Sequence, residues 1–269
     1  MLRPATGVMA FCAAAGLAIS LGSPVRVTAR DAAPEAGRKP VLIELFTSEG
    51  CSTCPPADAL LQKLLAQQPV GGAEIIALEE HVDYWNHLGW ADPYSSADWT
   101  QRQSAYAAKF GNAEYTPELV VDGRSNFLGS DAEEAEQEIE KAALRKQTEI
   151  VVTPEPSKGN GAKSYSISVA KIADYQPGDT AEVWLAVTED GLRSSVNAGE
   201  NAGHTLDHVA TLRSLKKIGV ADPKAATVSY AGSSKLKLDR HWNAEKSRVV
   251  VFVQGSKSRE ILGVASIPL

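Results

Sequence analysis

The chain has 269 residues, and its 27 basic and 33 acidic side chains give a formal charge of −6. No Lys/Arg cluster or basic stripe appears, which argues against nucleic acid as a partner. Three cysteines are too few for a small fold stapled by several disulfides.

Residues 1–29 read as a signal peptide. Arg3 supplies the positive start, residues 7–21 are apolar, and Val27-Thr28-Ala29 places small residues at a cleavage site. A retained anchor is the alternative, but the apolar stretch is short for a bilayer and nothing later reaches membrane length. The expected location is therefore periplasmic or secreted, with no membrane span after signal removal. Cys12 leaves with the leader, so only Cys51 and Cys54 stay. Arg3 and Arg26 leave too, which takes the charge from −6 to near −8. About 240 residues remain, a comfortable length for two domains.

Residues 41–47 form a short apolar run that predicts a buried strand, and Ser48-Glu49-Gly50 a turn. Cys51-Ser52-Thr53-Cys54 comes next, directly ahead of a helical pattern. Ala57, Leu60, Leu61, Leu64 and Leu65 fall on one helical face. A lone CxxC is a weak signal, but a CxxC between a strand and a helix points to thiol–disulfide chemistry. A bridge closing so small a loop stabilises little, so reactivity explains the pair better.

Residues 74–78 predict the next strand, and 81–93 an aromatic loop holding His81, Asp83, Tyr84, Trp85 and Trp90. Ser95 or Ser96 caps a helix that runs to Phe110 and stops at Gly111. Thr116-Pro117 leads a strand at 118–121, Asp122-Gly123 turns it, and 126–128 returns as a hairpin. Ser130 and Glu133 suit a capping box for a helix through about Lys146. The order over 41–146 is β-α-β-α-β-β-α, which is the minimal thioredoxin order. Residues 148–269 show many short alternating strands and suggest an antiparallel sandwich. The expected fold is thus an α/β thioredoxin-like domain at 40–147 followed by an all-β, sandwich-like domain at 148–269.

The chemistry needs a thiolate. An unperturbed thiol has a pKa of about 8.5, whereas CxxC sites at helix N-termini fall to about 3.5–7.5. Cys51, first in sequence and expected at an exposed helix tip, is the candidate nucleophile. Cys54, buried behind it, would resolve the mixed disulfide. Glu44, an acid in an apolar strand, is a candidate proton acceptor if alternation turns it inward. Tyr84, Trp85 and Trp90 are candidate substrate-groove residues, with ordinary packing as the competing reading. His204 and His208 fall in a Gly-rich stretch and read as a solvated loop.

VLIELFTSEGCSTCPPAD at 41–58 resembles a family of exported bacterial thioredoxin-like proteins of unknown function, marked by a CSSCPPAD-type motif. So do His81-Val82-Asp83-Tyr84-Trp85, Leu88-Gly89-Trp90, Tyr115-Thr116-Pro117 and Gly199-Glu200-Asn201-Ala202-Gly203. The thioredoxin resemblance implies that Pro117 is cis and faces the cysteines, and that Thr116 offers backbone hydrogen bonds to a substrate peptide. It names no substrate. The expected function is thiol–disulfide exchange on protein thiols or disulfides with a redox partner protein and no cofactor. One alternative is a Cu(I)-binding protein using Cys51, Cys54 and His81. The other is a non-catalytic binding module.

Overall fold

The computed structural model describes residues 1–2, 37–156 and 162–269, and all but the first two belong to the compact unit Pro34–Leu269. The signal peptide expected at 1–29 lies outside the described residues but for its first two. Strand β1 is Lys39–Thr47, helix α1 Pro55–Gln67, β2 Ala73–His81, α2 Ala97–Phe110, β3 Glu118–Val121, β4 Ser125–Leu128 and α3 Ala132–Ala143. The element order expected over the first half is therefore present.

The local chemistry is legible. Pro55 and Pro56 occupy the first turn of α1, where a missing N–H costs nothing. Ser96 caps α2 by accepting from the Asp98 N–H, and Gly111 ends it at φ 73. Asp131, rather than Ser130, caps α3 through the Glu134 N–H. Asp122 and Gly123 both take positive φ, 47 and 62, which makes the tight β3–β4 turn. A Cβ on Gly123 would also lie 2.0 Å from the Arg259 carbonyl oxygen.

The expected fold class needs correction. The second half contributes β5 (Ile150–Glu155), β6 (Ala162–Ala170), β7 (Ala181–Glu189), β8 (Leu192–Ser195), β9 (Thr205–His208), β10 (Thr211–Ala221), β11 (Val228–Lys237), β12 (Ser247–Gly255) and β13 (Ile261–Pro268). It does not form a sandwich that comes after an α/β domain. One mixed eight-stranded sheet runs through both halves in the order β13-β12-β7-β10-β2-β1-β3-β4. The seam is the parallel contact of β10 with β2, where Thr211 pairs with Glu79 and the Glu79 N–H donates to Ala210. The physical reason is edge satisfaction. With β1 on one side only, β2 would leave a row of backbone groups unpaired.

The core confirms the continuity. Leu42, Ile76 and Leu78 pack with Trp99, Ala186, Leu212, Val250 and Phe252, which joins both halves in one apolar cluster. The opposite face of β1, with Val41, Ile43 and Leu45, is covered by α1 and α3. A separate three-stranded sheet, β11-β6-β5, packs its Tyr165, Ile167 and Val169 against Val183, Leu185, Val249 and Val251. Layered sheet packing thus exists, but only over the far part of the large sheet. β8 and β9 form a small two-stranded hairpin whose connection returns toward the start of α1.

Candidate functional site

Cys51 and Cys54 form a disulfide in the turn between β1 and α1. Cys54 is the N-cap of α1, and its carbonyl accepts from the Ala57 and Asp58 N–H groups. Pro55 and Pro56 have no N–H, so the first two helical positions offer no donor to a thiolate. The Thr53 hydroxyl lies 3.3 Å from Cys51 Sγ and 3.5 Å from the Thr116 carbonyl oxygen. The Thr116–Pro117 bond is cis. Thr53 therefore bridges the cysteine turn and Thr116, and those residues are brought together.

Cys51 is not at an exposed tip. Both cysteines are 0% exposed, whereas Ser52 and Thr53 face solvent. The cover comes from the β8–β9 connection. Asn201, itself buried, donates its Nδ2 to the carbonyls of Glu49 at 2.8 Å and Cys51 at 2.9 Å. Glu200 accepts from the Ser52 N–H at 3.1 Å. Gly199 takes φ +76 and approaches Trp90 so closely that an added Cβ would stand 3.1 Å from the Trp90 Cβ. The Gly199-Glu200-Asn201-Ala202-Gly203 stretch is thus a clasp on the CxxC turn. Its glycines and polar residues were the signal available in sequence.

The aromatic candidates divide. Trp85 donates its indole N–H to Thr116 Oγ1 at 2.8 Å and packs on Gly50, beside the cysteine turn. Trp90 donates to Glu49 Oε2 at 2.8 Å, also beside it. Tyr84 donates to Gln103 of α2 at 3.2 Å, and its hydroxyl also lies against the Thr116 side chain.

Glu44 is buried but sits on the α2 face of the sheet, away from α1. Even-numbered β1 residues point to α2 and odd-numbered ones to α1. Its carboxylate binds Arg102 at 2.5 Å and accepts from the Tyr106 hydroxyl. Glu80 lies in the same pocket, 3.3 Å from Arg102. Burial raises the Glu80 carboxyl well above its ordinary value against the pull of Arg102, and Glu44 adds to the rise. This is a charged core brace and does not reach the cysteines.

The α1 face carries a second set of ionisable groups that sequence reasoning missed. Asp58, one turn beyond Cys54, binds the Thr47 hydroxyl at 2.7 Å, and burial pushes it up to about 7. Glu79 and His81 project on that same face from the end of β2, and His208 from β9 reaches them. Far from being a solvated loop residue, His208 is 1% exposed, whereas His204 is exposed. His81 Nδ1 pairs with Asp92 at 2.7 Å, and His208 Nε2 with Glu49 at 3.0 Å. Thr211 Oγ1 donates to Glu79 Oε2 at 2.7 Å. Burial opposes charge on both imidazoles, but Asp92 with Glu79 outweighs it at His81, and Glu49 with Glu79 lifts His208 to about 9. Burial likewise opposes ionisation of Glu79, yet the neighbouring His208 and His81 hold it at about 2. Neither half of the chain contains this constellation, because His208 reaches it only through the β2–β10 seam.

Residues 42–254 match the model of a family described as a protein of unknown function, DUF1223. No curated protein is significantly similar to the chain. A crystal structure of a protein from Agrobacterium tumefaciens is similar at TM-score 0.64 and 24% identity, covering 84% of this chain and 93% of that one. HBP35 of Porphyromonas gingivalis is similar at TM-score 0.65 and 15% identity, covering 86% and 76%. At these identities the likeness concerns the fold alone.

Proposed function

The chain belongs to the DUF1223 family of proteins of unknown function, and we propose that it is an exported thiol–disulfide oxidoreductase acting on protein thiols or disulfides through Cys51 and Cys54. The observation that carries this reading is the disulfide itself, placed directly ahead of α1 beside Thr116. Its partners are three positions apart, so as a staple it contributes only about 2 kcal/mol. Reactivity accounts for it better than stability does. The leader-like residues 1–29 and a lone disulfide fit an oxidising compartment outside the cytoplasm.

In the oxidised form, a client thiolate attacks Cys51 Sγ. A client–Cys51 bond forms, the Cys51–Cys54 bond breaks, and Cys54 leaves as a thiolate. A second client thiolate then attacks the client sulfur and expels Cys51. The client gains a disulfide, and the protein takes up two electrons as a dithiol once protons reach both sulfurs. Reversal reduces a client. The Thr53 hydroxyl is placed to donate to a Cys51 thiolate, which favours the charged form. Because Cys51 is covered, exchange requires the clasp at 199–203 to lift from the cysteine turn. Trp85 and Trp90 flank that opening.

The Cu(I) alternative draws no support from His81, whose nitrogens face Asp92 and Glu79. A purely structural module leaves the disulfide without a task. Insulin reduction and refolding of a scrambled disulfide protein test the reading, with Cys51→Ser as the control. Activity in one assay that disappears in Cys51→Ser is the expected result. Inactivity in both, or a Cys51→Ser variant as active as the parent, overturns it.

A further inference from the structure

We propose that Glu79, His81 and His208 form a binding site for one divalent transition-metal ion of the zinc type, separate from the cysteines. The three side chains are buried, and one donor atom from each lies within 4.8 Å of the others. Two separations are more telling than the cluster itself. His81 Nε2 lies 3.4 Å from Glu79 Oε2, and His208 Nδ1 lies 3.4 Å from Glu79 Oε1. These are long for hydrogen bonds between charged groups, which run at about 2.7–2.9 Å. Each runs to a different Glu79 oxygen, and each matches the spacing of two neighbouring donors on one ion. Tetrahedral donors held at about 2.0–2.1 Å from zinc stand about 3.4 Å apart.

The independent sign is His81 Nε2. It is buried and has no hydrogen-bond partner, an expensive condition for a ring nitrogen, and it is aimed at the other two groups. Its other nitrogen is held by Asp92 at 2.7 Å, and the outer nitrogen of His208 is held by Glu49 at 3.0 Å. Thr211 holds Glu79. Each donor therefore has an outer partner that fixes its orientation, as metal-bound histidines and carboxylates do.

The charge also balances. Around the two imidazoles stand the carboxylates of Glu49, Glu79 and Asp92. Two added protons or one divalent cation leave the same net charge, so the ion exchanges for protons without unbalancing the interior. Two imidazoles and one carboxylate suit zinc and its neighbours, and supply three corners of a tetrahedron. Tyr94 packs edge-on against both rings, at 5.4 and 5.6 Å between centroids. It also lines a surface cavity of about 360 Å³ with Pro93, Asp98, Leu212 and Arg213, and so stands between the cluster and solvent. A bound ion ties the β9–β10 corner to the end of β2, across the seam of the sheet.

The test uses the full mature chain without reductant, so that the cysteines remain a disulfide. Zinc is added and removed by dialysis with metal analysis, and cobalt is substituted for spectroscopy. The expected result is one equivalent of zinc, raised thermal stability, and the intense visible absorption of tetrahedral cobalt with no thiolate charge-transfer band. His81→Ala and His208→Ala should lose the equivalent, while His204→Ala keeps it. If a cluster variant fails to fold, cobalt absorption of the parent protein decides by itself. Failure to bind at tens of micromolar zinc, octahedral or thiolate-bound cobalt, or an equivalent retained in both folded histidine variants overturns the proposal. None of these outcomes depends on redox activity.

Discussion

The clasp over the cysteines gives a direct prediction. Asn201→Ala removes two hydrogen bonds to the carbonyls of Glu49 and Cys51, at 2.8 and 2.9 Å. A typical hydrogen bond contributes about 1 kcal/mol net, so the clasp weakens by about 2 kcal/mol. If Cys51 reacts only when residues 199–203 lift, its reactivity tracks the open fraction. That loss then corresponds to an increase of about 30-fold. The assay is alkylation of the reduced protein, timed by mass, with global stability measured alongside. The increase should appear while the protein remains folded. An alkylation rate within about twofold of the parent would refute the argument that this segment controls access. Glu200, whose bond to the Ser52 N–H is solvent-exposed, should give a much smaller effect on changing to Gln.

The core yields three further expected outcomes. Asp122 is pushed up to about 7 by burial, although the Leu42 N–H favours its charged form. A carboxyl raised in the folded state stabilises at low pH, and that contribution is lost as pH climbs from about 4 through about 7. About three pKa units correspond to about 4 kcal/mol, so Asp122→Asn should match the parent at about pH 4 and exceed its stability at about pH 8 by up to that amount. Urea unfolding at the two pH values checks it, and an unchanged pH profile rejects it. Arg102→Met leaves Glu44 buried without its cation and should cost about 3–5 kcal/mol, with part regained on adding Glu44→Gln. Leu61→Ala, on the buried face of α1 and 1% exposed, should cost about 2–5 kcal/mol by denaturant titration without changing the cysteine chemistry.

Local elements were legible in the sequence because their causes are local. The apolar face at 57–65, the serine ahead of α2 and the glycine after it, and the Asp122-Gly123 turn each specify their structure from neighbouring residues. The cysteine pair was legible for the same reason, whereas the approach of Thr116 and Pro117 to it was implied only by the thioredoxin resemblance.

What only the tertiary structure decided is how strands from distant parts of the chain share a sheet. Alternation tells which face of a strand is buried, never which strand lies beside it. β2 could have been an edge, but β10 pairs with it because unpaired backbone groups are costly, and that single pairing merges the two halves. The same pairing carries His208 to Glu79 and lays Asn201 over Cys51. Face also depended on register. Glu44 and Glu79 are both acids in apolar strands, yet they project to opposite sides of the sheet, one to Arg102 and one to His208. Burial of Cys51, the histidine–carboxylate cluster and the continuous sheet all arise from contacts between residues far apart in the chain, where spacing along the sequence carries no information about spacing in the fold.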